Sequence, residues 1–192
     1  MDTLAQSLLD FWFGPPDSEA YGKPQKFWFL KDPAFDAELE QRFLPLYHQA
    51  CQGQVNHWRA TTLGCLALIL AFDQLPRNFF RESPQAFATD TQALAIAQAL
   101  VNTQQDQTLL NVQRWFVYLP FEHSENLEHQ NQAVALYEQL RDDAESASSI
   151  DYAYRHQRII QRFGRFPHRN AILGRPSTET ELEFLQQPGS RF

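Results

Sequence analysis

The chain has 192 residues and a formal net charge of −7, with 23 acidic side chains against 16 lysines and arginines. That length suits one domain with a substantial core, and the acidity argues against a general nucleic-acid binder. The longest apolar run, residues 63–72, is too short to span a bilayer, which takes about 20 residues.

Sixteen Phe and four Trp imply an interior filled largely with aromatic rings. Cys51 and Cys65 fall in no CxxC or Cys/His spacing and read as core thiols, and no P-loop or GxGxxG occurs, so no metal and no cofactor is expected. No basic leader followed by an apolar segment is present at the N-terminus. A cytoplasmic protein with no membrane or nucleic-acid partner is therefore expected.

Nearly every periodic segment has the helical period, and no alternating strands or Asn-Gly and Asp-Gly hairpins occur. A first helix is predicted from Thr3 to Phe13, stopped by Gly14-Pro15-Pro16. A loop follows with Phe27, Trp28 and Phe29 and all three lysines, Lys23, Lys26 and Lys31. Asp32 caps a second helix with Pro33 at its first position, running to about Cys51. The third, about His57 to Leu75, is apolar on almost all sides and so belongs at the centre; Pro76 is expected to end or kink it. Ser83-Pro84 opens a fourth and Asp106 caps a fifth, which ends near Leu119-Pro120. Ser124 caps a sixth that reaches about Ala144. The seventh runs from about Ser149 to Phe163 and stops at Gly164. Thr178 with Glu181 makes a capping box for a short last helix. Residues 1–187 form one all-helical domain of seven or eight helices, and 188–192 form a loose tail. Periodicity leaves both a bundle and a short solenoid of hairpins open.

Residues 152 to 178 hold six arginines and no acidic residue. On the seventh helix Tyr152, His156, Ile159, Ile160 and Phe163 share one face, and Arg155, Arg158 and Arg162 share another. His156 is either a hydrogen-bonded core histidine or the floor of a pocket. After Gly164 the helix is lost, and Arg165, His168 and Arg169 lie on a loop. Their planar guanidinium groups suit a carboxylate or phosphate, or serve to tie the loop down. At the end of the third helix Asp73, Arg77 and Asn78 follow a wholly apolar run. They close the helix end as an internal Asp–Arg pair, or they serve a site. His123 lies just before the sixth helix. Ser124 has no GxSxG elbow around it, and His129 has no second ligand pair, so neither a nucleophile nor a metal site is expected there.

The blocks DQLPRNFFRESPQAFATD (Asp73 to Asp90), YLPFEHSENLEHQ (Tyr118 to Gln130) and HQRIIQRFGRFPHRNAILGRPSTETELEFL (His156 to Leu185) resemble the bacterial family known as domain of unknown function 924. The resemblance covers essentially the whole chain. It implies antiparallel helical hairpins stacked as a tetratricopeptide-like right-handed superhelix, and it brings no reaction. Three positions depart from the family's usual pattern. Glu122 stands where an apolar residue such as Met is expected, Glu82 where Gly is usual, and Gln157 where an acid is common.

The candidate ligand-binding residues are Asp73, Arg77, Asn78, His123, His156, Arg165, His168 and Arg169, converging on one cleft with Trp28 and Phe166 as walls. The expected ligand is a small anion or a peptide carboxylate. A hydrolase or lyase using the same cluster and a protein-interaction scaffold are the alternatives.

Overall fold

The apolar run that begins at Leu63 lies at the middle of the molecule. In the computed structural model, which describes residues 2–190, every residue from Gly64 to Ala71 is buried. Helix α3 (Thr62–Ile69) packs against α1 (Thr3–Phe13), α5 (Asp90–Asn102) and α6 (Asn111–Glu122). Gly64 permits this position. A Cβ there would lie 2.1 Å from the Trp58 carbonyl oxygen, so a larger residue would push the preceding 3-10 turn away.

Helix α2 (Pro33–Cys51) packs on α4 (Leu75–Phe79). Then α5, α6, α7 (Leu127–Glu138) and α8 (Ala147–Phe163) each pack on the next through short links, as stacked antiparallel hairpins do. Helix α9 (Glu179–Leu185) closes the chain, and no strand occurs among the described residues.

Aromatic rings fill the α1–α6 interface. Phe116 meets Trp12, Phe13 and Trp28 edge to face, with centroids 5.7, 5.4 and 4.9 Å away. Trp28 is therefore a core residue, not a wall of a cleft. Its indole N–H donates to the Trp12 carbonyl at 2.9 Å.

Several helix starts differ from expectation. The third helix begins at Thr62, capped by the Thr61 hydroxyl, after a 3-10 turn over Asn56–Ala60. It then continues through Pro76. Pro76 has no N–H, and in a regular helix its ring would strike the Phe72 carbonyl. The helix avoids this by widening into a π-turn at Leu70–Gln74, where the Leu75 N–H bonds the Leu70 carbonyl. The Phe72 carbonyl accepts the Thr89 hydroxyl at 2.6 Å. Ser83-Pro84 opens only a 3-10 turn, Pro84–Phe87, and α5 starts at Asp90.

Asp106 does not cap α6. It is buried and accepts the Tyr118 hydroxyl at 2.7 Å. Asn126, not Ser124, caps α7, which ends at Glu138.

The predicted signals at the C-terminal end hold: Gly164 takes φ +68° after α8, and Thr178 and Glu181 cap α9. In the tail expected to be loose, Ser190 is buried and donates to the Leu185 carbonyl at 3.1 Å. Positions 191 and 192 lie outside the described residues.

Candidate functional site

The π-turn sets the geometry of the site by directing Asp73 inward, where it is fully buried. Its Oδ1 is 2.7 Å from His123 Nδ1 and 3.2 Å from Arg77 Nη1, and Gln74 Nε2 donates to Oδ2 at 2.6 Å. Arg77 also grips Asp90 at the first turn of α5 through two bonds of 2.7 and 2.9 Å. Asp90 Oδ2 lies 3.8 Å from Arg169 Nη1, and that same nitrogen donates to the His123 carbonyl at 3.0 Å. A closed circuit results: His123 ring, Asp73, Arg77, Asp90, Arg169, His123 backbone. It joins the third, fifth and sixth helices to the loop after α8.

Arg169 is the most confined member. Its side chain is only 8% exposed, and its guanidinium carbon lies 4.6 Å from the Phe87 ring and 4.5 Å from the Phe166 ring. Aromatic faces favour a cation there. Its buried Nε has no hydrogen-bond partner among the described residues. Burial and the neighbouring Arg77 charge pull this guanidinium down to about 10, below the usual arginine range.

Charge states follow from the same contacts. Burial opposes ionisation of Asp73, but Arg77 and His123 overcome it and hold the carboxyl well below the usual range. Burial and Arg77 lower His123, outweighing the opposite pull of Asp73. The ring is therefore neutral at pH 7. His168, whose ring lies 5.6 Å from Phe166, is pushed down to about 3, first by burial and then by Arg169.

The other expected residues are placed around this circuit. His156 is buried, with Nδ1 2.9 Å from Glu122 Oε1 and 2.9 Å from the Tyr152 carbonyl. Glu122 is thus a buried partner of His156. Gln130 holds the turn containing both Glu122 and His123 by donating to the Glu122 and Ser124 carbonyls at 2.6 and 2.7 Å. Asn78 lies off the circuit, bonded to the Gln74 carbonyl and to Arg81. Arg165 also lies off it. Its guanidinium forms a two-bond pair with Glu181 at 2.6 and 2.8 Å and bonds the Pro176 carbonyl, docking α9. Arg175 makes a similar pair with Glu125, whose Oε1 also accepts the Phe166 N–H.

Asp90 and Phe87 were not anticipated. The signal for Asp90 was its position as the last residue of the matching DQLPRNFFRESPQAFATD block.

Ser124 Oγ lies 2.8 Å from His129 Nδ1, and the Gln98 amide faces His129 Nε2 at 3.3 Å. With Gln98 donating to Nε2, the proton on Nδ1 points at Ser124, the wrong tautomer for a base. No group of three potential metal ligands occurs among the described residues.

Two surface clefts lie elsewhere. One of about 80 Å³ is bordered by Asp10, Tyr21 and Gln113, and another of about 380 Å³ by Gln104, Gln107 and Gln139. The circuit borders neither.

Comparison with known proteins gives one consistent answer. A family model described as "Bacterial protein of unknown function (DUF924)" matches residues 8–189. A solved structure, that of the protein of unknown function ATU0120 from Agrobacterium tumefaciens, is 36% identical with a TM-score of 0.83. The match covers 95% of this chain and 97% of that one. No curated protein matches the chain. No helix among the described residues is long and apolar enough to cross a membrane.

Proposed function

The chain belongs to the bacterial DUF924 family, which is of unknown function, and on that premise we propose that it binds a small anionic molecule at the Arg77–Asp73–His123–Arg169 circuit. The observation that carries this reading is the Arg169 Nε, a buried cationic donor with no acceptor. An unpaired buried donor costs about 1–3 kcal/mol. A carboxylate or phosphate oxygen on Nε would remove that cost and relieve the repulsion from Arg77. The anion must be small, because Phe87 and Phe166 already flank the guanidinium. A cytoplasmic location belongs to the same reading and is supported by two free thiols, Cys65, which is buried as expected, and Cys51, which is exposed at the end of α2 and not a core residue.

Thermal shift tests it. A ligand that binds only the folded state raises the melting temperature with the logarithm of its concentration. Small carboxylates and phosphates should do so for the native chain and lose the effect in Arg169→Lys, which keeps the charge but not the Nε donor. A panel that shifts neither protein would end the proposal.

A second reading, a hydrolase or lyase on a small acid, is favoured by the 2.7 Å Asp73–His123 contact. A carboxylate that orients a neutral histidine leaves the far nitrogen ready to accept a proton, and Arg169 would stabilise developing negative charge. Turnover of an anionic ester that vanishes in His123→Gln would favour it over simple binding.

A further inference from the structure

The larger of the two surface clefts gathers hydrogen-bonding groups whose capacity is only partly used. It holds about 380 Å³, near the lower end of the roughly 300–1,000 Å³ of small-molecule sites. Val101 from the end of α5, Gln104, Asp106 and Gln107 from the turn after it, and Leu136 and Gln139 from the end of α7 all line this one space. The cleft is separate from the Arg169 circuit and does not depend on it.

Helix α6 fixes the floor from below. Tyr118, fully buried, accepts from Arg114 Nε at 2.8 Å and donates to Asp106 Oδ2 at 2.7 Å. Gln107 Nε2 gives one proton to the same Oδ2 at 2.8 Å and the other to Gln139 Oε1 at 3.0 Å. Arg114 Nη2 also donates to Gln139 Oε1, at 3.1 Å. A carboxylate only accepts and a guanidinium only donates, so both amides are held in one orientation.

What these bonds leave over is therefore defined. Among the described residues, Asp106 Oδ1 and Gln107 Oε1 are acceptors without a donor, and Gln139 Nε2 is a donor without an acceptor. Asp106 is only 1% exposed, yet its Oδ1 is not sealed in as Arg169 Nε is, and the cleft is what Asp106 borders. Gln104 adds a further amide on the rim. It stands at φ +56°, a left-handed position where glycine would cost less.

Three features restrict the ligand. The Asp106 and Arg114 charges meet through one hydroxyl, so the floor is compensated and an entering ion would lose water without an unpaired counter-charge to receive it. No aromatic ring lines the cleft, so a planar base would have nothing to stack on. Val101 and Leu136 add an apolar wall beside the open donors and acceptors. We infer that the cleft binds a neutral polyhydroxy ring, of the monosaccharide class. A hydroxyl both donates and accepts. Neighbouring hydroxyls can thus serve Asp106 Oδ1, Gln107 Oε1 and Gln139 Nε2 together, with ring C–H groups against Val101 and Leu136.

NMR titration of the ¹⁵N-labelled native chain tests it, with glucose, galactose, mannose and myo-inositol as probes. Cyclohexanol supplies a ring with one hydroxyl, and agmatine supplies a cation. At least one of the four polyols is expected to give saturable shifts at the side-chain amides of Gln104, Gln107 and Gln139. It should bind at least about tenfold tighter than cyclohexanol, the worth of one or two added hydrogen bonds. Gln104→Gly removes the rim amide and relieves its backbone, so it should fold at least as well and bind roughly two- to tenfold more weakly. Unchanged affinity there would overturn the place given to Gln104. No saturable shift from any of the four polyols would overturn the inference, as would polyol shifts confined to residues outside the cleft. Agmatine shifting the same amides while the polyols are silent would overturn the neutral class. Cyclohexanol binding as tightly as the polyols would overturn the hydrogen-bond match. The titration of the native chain needs no variant, and none of these outcomes bears on the anion site at Arg169.

Discussion

Asp73 and His123, fifty residues apart in sequence, share a 2.7 Å contact that is almost wholly shielded from water. The pair fixes the end of the central helix against the turn after α6, and with Arg77 it forms the charged heart of the molecule. Removing one partner from such a group leaves the others buried without their complement. Asp73→Asn is predicted to destabilise the fold by about 3–5 kcal/mol, measured by urea unfolding. A loss under about 1 kcal/mol would mean that Asp90 alone satisfies Arg77.

The proton position on His123 is directly observable. Long-range ¹⁵N–¹H correlation at pH 7 is predicted to show the Nδ1-protonated neutral tautomer. An Nε2-protonated or doubly protonated ring would contradict the donor and acceptor roles assigned to the site.

His168 should make the fold acid-sensitive. Its folded value of about 3 lies below the 6.5 of an unperturbed histidine. Between those values the unfolded chain takes up a proton that the folded chain refuses, so stability falls as pH falls. The slope approaches about 1.4 kcal/mol per pH unit. Burial of His123 adds a slope of the same sign. His168→Asn is predicted to flatten the stability profile between pH 6.5 and 5, where few carboxylates titrate. An unchanged profile would show that His168 is protonated in the fold.

Glu82 offers a separate test of backbone strain. It adopts φ +62°, a left-handed conformation costly for any side chain but absent for glycine. Among the described residues its carboxylate pairs only with Lys31, at 3.9 Å, an exposed pair of little worth. Glu82→Gly is predicted to stabilise by about 0.5–1 kcal/mol, the strain relieved less the entropy glycine adds to the unfolded chain. A raised denaturation midpoint with an unchanged slope would bear this out.

Much of the scaffold was legible because its signals are local. Gly164 needs φ above zero, and Thr178 needs Glu181 three residues on, so both boundaries could be read directly. The Asp73–Arg77 pair was legible as well, since four residues bring two side chains to one helix face. The π-turn was not, because reading a uniform 3.6-residue period through Leu70–Gln74 leaves no sign of the extra residue; Pro76 was the clue, but an end or a kink is what a proline there suggests, and the helix widens instead. Asp90 escaped because Ser83-Pro84 looked like the start of its helix. The partner of Arg165 escaped because Glu181 lies on another element, and spacing says nothing about contacts that only tertiary packing creates.

The central claim is that Arg169 Nε is the donor for a bound oxyanion. The most direct measurement is a crystal grown at pH 6 with dihydrogen arsenate, an unreactive monoanion carrying a strong anomalous scatterer, with data collected at the arsenic absorption edge. The account predicts a peak whose oxygen refines within about 3 Å of Arg169 Nε, beside the His123 ring. Anomalous peaks confined to surface lysines and the Arg165–Glu181 pair, with Arg169 untouched at saturating anion, would contradict it.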